Sequence, residues 1–228
     1  MYGAGRQRLE TKGIDAGKIG AIAQPVDCTW HLVRRTRLFF IQCHASVAAA
    51  RGRFLSRTVN TVVFSHGKES GPWGSKITAM AAVARDLKLQ VESVDYRGID
   101  DPDQRVDKLL AVGRELPGPM VLVGSSMGGH VAAAAANRLD TAGLFLLAPA
   151  FYMAGFEKYT PQVVAVPSAI VHGWHDAVVP VDNVIRWARE HRATLHLLDS
   201  DHRLEDQIEQ ICVLLRRFLS ALTRQETP

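Results

Sequence analysis

The segment Val121-Leu122-Val123-Gly124-Ser125-Ser126-Met127-Gly128-Gly129 joins a short apolar run to the spacing G-x-S-x-G. The spacing has a mechanical reason. It puts Ser126 on a sharp strand-to-helix turn, and small residues at 124 and 128 let neighbouring backbone pass close by. The hydroxyl is lifted above the strand end, beside a helix N-terminus whose N–H groups can face an oxyanion. The chemistry served is nucleophilic attack on a carbonyl. Glycines at 124 and 128 also suit an ordinary tight turn, but the flanking apolar run and the helical pattern after it are those the motif needs.

A serine is a poor nucleophile at neutral pH without a base, and the base needs an orienting acid. On a strand–helix scaffold the order along the chain is Ser, acid, His. Two later segments supply it: Val171-His172-Gly173-Trp174-His175-Asp176, after the next-to-last apolar run, and Asp199-Ser200-Asp201-His202, after the last. Both follow strand carboxyl ends, the edge from which Ser126 also emerges. Asp176 is therefore expected as the acid and His202 as the base. His130, His172, His175 and His196 compete, although a lone histidine in such places is more often structural. Asp199 and Asp201 are rival acids; loop carboxylates of this kind more often form turns, and Asp201 adjoins His202, where extended neighbours point apart.

A glycine-rich loop, His66-Gly67-Lys68-Glu69-Ser70-Gly71-Pro72-Trp73-Gly74, follows the first apolar run. It is placed to give a backbone N–H to an oxyanion. Lys68 is expected to supply one donor and Met127 the other. Gly67-Lys68 superficially suggests a nucleotide site, but the G-x-x-x-x-G-K-[ST] spacing is absent.

These residues need a scaffold. Apolar runs at 61–64, 89–94, 120–123, 143–147, 168–171 and 194–198 are continuous rather than alternating, as strands buried on both faces are. Helical patterns at 76–88, 103–116, 131–138, 181–191 and 204–222 separate and follow them. The fold class expected is α/β: a doubly wound, mostly parallel sheet with helices on both faces.

The pattern begins near Val59. Residues 1–58 hold ten of the 27 Lys/Arg and only three of the 23 Asp/Glu, so the net charge of +4 belongs to a basic N-terminal extension. That extension is expected to have little fixed structure, and deleting residues 1–57 to leave a folded, active protein. Residues 59–228 form the expected catalytic domain. Their acidic balance gives no case for nucleic acid. Cys28, Cys43 and Cys212 make no metal spacing or disulfide framework, which points to a reducing, cytoplasmic setting. No apolar run is long enough to span a membrane.

The His66-Gly67 loop, the Gly124–Gly128 elbow, the His172-Gly173-x-x-Asp176 segment and the Asp201-His202 pair resemble the α/β-hydrolase superfamily, over roughly residues 59–222. In detail the chain is similar to small esterase-like members without a large cap. The resemblance implies a Ser126/Asp176/His202 triad and an acyl-enzyme mechanism on a small-molecule ester or thioester. A peptidase or acyltransferase using the same triad, or a non-catalytic binding protein, are the alternatives. Two backbone donors and a triad account for acyl transfer, so no metal or organic cofactor is expected. In such hydrolases the stretch after the fourth strand borders the acyl pocket. Phe151, Tyr152 and Met153, with Phe156 and Tyr159 beyond them, are the expected substrate-binding rim; covering the sheet edge is the other reading of the same residues.

Overall fold

The structure, a computed structural model, describes residues 59–155, 157–163 and 166–223. The extension expected over residues 1–58 lies outside the described residues, as do Cys28, Cys43 and Phe156. Six strands are described: β1 Thr61–Ser65, β2 Gln90–Val94, β3 Met120–Ser125, β4 Thr141–Leu147, β5 Ser168–Gly173 and β6 Thr194–Leu198. The helices are α1 Ser75–Asp86, α2 Pro102–Glu115, α3 Met127–Ala136, α4 Val181–His191 and α5 Ile208–Thr223. All strand pairs are parallel, in the order β2-β1-β3-β4-β5-β6.

The continuous apolar runs have the physical reason expected of them. Alternate strand residues feed two cores, one on each face of the sheet. Val63, Leu122, Leu144, Leu146 and Ile170 pack with α2, α3 and α4 through Leu109, Val131 and Trp187. Val62, Phe64, Val121, Val123, Phe145 and Val171 pack with α1 and α5 through Met80 and Leu215. Every residue just named from β1, β3, β4 and β5 is 0–1% exposed. Each such side chain contributes about 1.5–3 kcal/mol relative to leaving it in water.

Two helices start elsewhere than their patterns indicate. α3 begins at Met127, directly after Ser126, rather than near Val131. The turn is completed by one residue, so no loop intervenes. α5 begins at Ile208, because Leu204 takes φ 54° and a 3₁₀ turn over Glu205–Gln207 comes first.

The strand order reverses direction at one place. From β1 the chain moves outward to β2, then returns across β1 to place β3 on its other side. The carboxyl ends of β1 and β3 therefore bound a crevice, the usual ligand position in an open parallel sheet. Ser65 pairs in register with Gly124 there, so the loop after β1 and the turn after β3 leave the sheet side by side.

Candidate active site

Ser126 sits at φ 53° and ψ −121°, a conformation that costs a non-glycine residue on the order of 1–3 kcal/mol. The neighbouring backbone holds it there. Its N–H donates to Leu147 O at 2.9 Å, and its carbonyl accepts from Gly129 N at 2.9 Å and Ala150 N at 3.1 Å. The two glycines are required by close approach. A Cβ on Gly124 would lie 2.3 Å from Gly128 O, and one on Gly128 would lie 2.0 Å from Ser65 O.

The loops after β5 and β6 meet beside this turn. Gly173 makes the meeting possible, since a Cβ there would come within 2.3 Å of Ser200 O. His202 Nε2 lies 3.0 Å from Ser126 Oγ, and His202 Nδ1 lies 2.7 Å from Asp176 Oδ2. A carboxylate only accepts, so Nδ1 carries a proton and Nε2 is left to accept from the serine hydroxyl. Asp176 has no exposed side-chain surface, whereas His202 is 19% exposed. The other carboxylate oxygen, Oδ1, accepts from Val178 N and Val179 N, each at 2.8 Å. Backbone thus fixes the acid before the imidazole reaches it.

His172 is fully buried behind the acid. Its Nε2 lies 3.1 Å from Val179 O and 3.4 Å from Asp176 Oδ2. Burial lowers its pKa from the ordinary value, opposed by the nearby Asp176 charge. A neutral ring with its proton on Nε2 fits these acceptors.

The loop after β1 is tied from below. His66 Nδ1 donates to Gly67 O at 2.7 Å, and Nε2 accepts from Tyr96 N at 2.9 Å. Those partners require a neutral ring, and burial lowers the pKa in the same sense. Asp95 Oδ1 is 3.9 Å from Nε2, but that nitrogen bears no proton to give it. Asp95 is instead forked by Arg97. Lys68, whose backbone is the expected first donor, has a largely exposed side chain, 3.7 Å from Asp100. Among the described residues, neither the Lys68 nor the Met127 N–H has a protein acceptor.

The competing carboxylates are bonded elsewhere. Asp199 pairs with His175 at 2.8 Å on the open surface and is 91% exposed. Asp201 closes its own turn, accepting from Arg203 N and Leu204 N. His130 and His196 have pKa values lowered by burial.

The expected rim divides. Phe151 is 0% exposed and stacks on Trp187 with ring centroids 4.7 Å apart. Tyr152 is buried, donates its hydroxyl to Glu190 and lies under the Arg186 guanidinium. Both cover the sheet and α4. Met153 keeps some exposure while packing on the same core. Trp174 and Val178, on the loop that carries Asp176, are exposed apolar side chains that the aromatic-run reading passed over.

Arg105 was also missed, and it carried a signal. It is a charged residue one helical turn before Leu109, on the buried side of α2. Among the described residues no group of His, Cys, Asp and Glu is arranged to hold a metal ion. No helix among them is long and apolar enough to cross a membrane.

Comparison with known proteins agrees with this fold. The sequence model of the alpha/beta hydrolase family matches residues 62–224. A solved protein from Xanthomonas campestris pv. campestris, assigned to the hydrolases of the alpha/beta superfamily, is 34% identical. The match covers 71% of this chain and 99% of that one, with a TM-score of 0.67. This chain belongs to the alpha/beta hydrolase family. An alpha-beta serine hydrolase homologue from Coxiella burnetii shares the fold at 24% identity and TM-score 0.60, covering 71% of this chain and 85% of that one. Est1E from Butyrivibrio proteoclasticus shares it at 17% identity and TM-score 0.61, covering 72% and 88%. No curated protein matches the chain.

Proposed function

We propose that this hydrolase cleaves a carboxylic ester or thioester through an acyl-enzyme formed on Ser126. The observation that carries the reading is the continuous chain Ser126 Oγ, His202, Asp176, with links of 3.0 and 2.7 Å. Ser126 Oγ attacks the carbonyl carbon while His202 Nε2 takes its proton. Asp176 stabilises the imidazolium that results and keeps the ring in the correct tautomer. The Lys68 and Met127 N–H groups receive the charge that develops on the carbonyl oxygen. His202 then protonates the departing alcohol or thiol. Water attacks the acyl-enzyme with His202 as base, and the acid leaves.

Met153, Trp174 and Val178 supply apolar surface on loops at the catalytic edge, which favours a modest apolar group on one side of the scissile bond. With Cys212 a free thiol, a reducing cytoplasmic setting remains the proposed location.

Two experiments test the reading together. A fluorophosphonate probe should label the wild type and not Ser126→Ala. A series of p-nitrophenyl esters and acyl-thioesters of graded chain length should be turned over by the wild type. Absence of both labelling and turnover would count against a serine hydrolase.

A further inference from the structure

The loop expected to receive the oxyanion is held from behind by a buried cation. Arg105 is 1% exposed, and its guanidinium meets backbone carbonyls rather than a carboxylate. Nε donates to Ile99 O at 2.6 Å, and Nη1 lies 3.3 Å from Gly67 O and 3.4 Å from His66 O. The Tyr96 ring lies 5.2 Å from its Cζ. Taking a guanidinium out of water is costly unless its donors find strong acceptors. Here two of those acceptors are the consecutive peptides that lead out of β1 to Lys68.

Peptide geometry gives the arrangement a consequence. In a trans peptide the C=O and the following N–H point in opposite directions. Gly67 O is drawn toward both His66 Nδ1 and Arg105 Nη1. The Lys68 N–H of the same peptide is thereby turned away from them. Gly67 itself lies against the nucleophile, since a Cβ built on it would be 3.5 Å from Ser126 Cβ. His66 is neutral and can only orient the plane. Arg105 is charged, and a cation at the carbonyl end of a peptide draws electron density from its N–H, making that N–H a stronger donor.

We propose that Arg105 is a positioning residue for the oxyanion site, fixing the Gly67–Lys68 peptide plane and polarising the N–H that faces the developing charge. The proposal rests on the serine-hydrolase reading above. It assigns Arg105 no contact with substrate, so its effect belongs to the transition state and not to ground-state binding.

The test uses the full chain with Arg105→Met and Arg105→Lys, on a short p-nitrophenyl ester that the wild type hydrolyses. The readings are kcat and KM separately, and the Ki of a trifluoromethyl ketone, which forms an oxyanion on the serine. Thermal unfolding is recorded alongside. Arg105→Met should lower kcat on the order of 10–100-fold, less than or comparable to losing an oxyanion donor outright, with KM within about twofold. The ketone should weaken by a similar factor. Arg105→Lys, which keeps the charge without the fork, should recover part of the loss. A folded variant with wild-type kcat, or one whose loss is all in KM, overturns the proposal. If Arg105→Met does not fold, Arg105→Lys is read alone against the same criteria. A wild type inert to esters and to fluorophosphonate would remove the functional reading and this inference with it. An active wild type with indifferent variants removes this inference only.

Discussion

His172 lies against Asp176, its Nε2 3.4 Å from Oδ2, and neither side chain has exposed surface. Oδ1 is occupied by the Val178 and Val179 N–H groups, so Oδ2 faces both imidazoles. Asp176 is thus held by a buried ring and by backbone, while His202, 19% exposed, stays at the solvent side beside Ser126.

Asp176→Asn should lower kcat by roughly 10⁴ at neutral pH, because an amide in that place no longer enforces the tautomer with Nε2 free. Asp199→Asn should stay within a few-fold of wild type, since Asp199 bonds His175 on the surface. Steady-state kinetics of the two variants decide between them. A larger loss at Asp199 would move the acid's role there.

His202→Ala should lose about as much activity as Ser126→Ala, because members of such a unit fail together. Substitution of His175 should leave kcat within a few-fold. The comparison is of kcat on one chromogenic ester, and it would reassign the base if the two histidines exchanged effects.

Gly173→Ala should damage the site from outside it. Its Cβ would meet the Ser200 and Asp201 carbonyl oxygens at 2.3 and 2.6 Å, and both are backbone. Relief requires the loop after β6 to shift, carrying His202 with it. The cost is on the order of 1–3 kcal/mol or more in stability, with kcat falling at least about tenfold. Thermal unfolding and kinetics of the purified variant check both parts.

Acid should destabilise the fold through its buried and half-buried histidines. His66, His130, His172 and His196 all have pKa values lowered from 6.5, burial being the largest cause in each. Below pH 6.5 the unfolded chain binds protons that the folded state refuses. Stability is therefore fully present above that pH and is lost as the pH falls from 6.5 through the lowered values. Tm should drop between pH 7.5 and 5, and His172→Gln should make the drop shallower. An unchanged slope would mean that His172 takes its proton as readily folded as unfolded.

The elements were legible where burial dictates residue type. Val62-Val63-Phe64 and Leu144-Phe145-Leu146-Leu147 feed two cores, so their runs are apolar throughout and read plainly as strands. The elbow was legible because only glycine fits at 124 and 128. The start of α3 was not, because its first residues, Met127-Gly128-Gly129-His130, are chosen for the turn and not for helical periodicity. Phe151 and Tyr152 read as a rim because aromatic type does not distinguish a pocket wall from a core; Trp187 and Glu190, far away in sequence, decide their packing. Arg105 carried one mark, a charge on the buried side of α2, but its partners are carbonyls, which side-chain types do not reveal, so its place in the site was not legible.

The central claim is a covalent acyl group on Ser126, and intact-protein mass spectrometry on an acid-quenched reaction reads it directly. Mixed with a slowly deacylating p-nitrophenyl ester, the wild type should gain the mass of one acyl group, mapped by peptide fragmentation to Ser126. Ser126→Ala should gain none. Turnover of the ester with the adduct on another residue, or undiminished turnover by Ser126→Ala, would contradict the account.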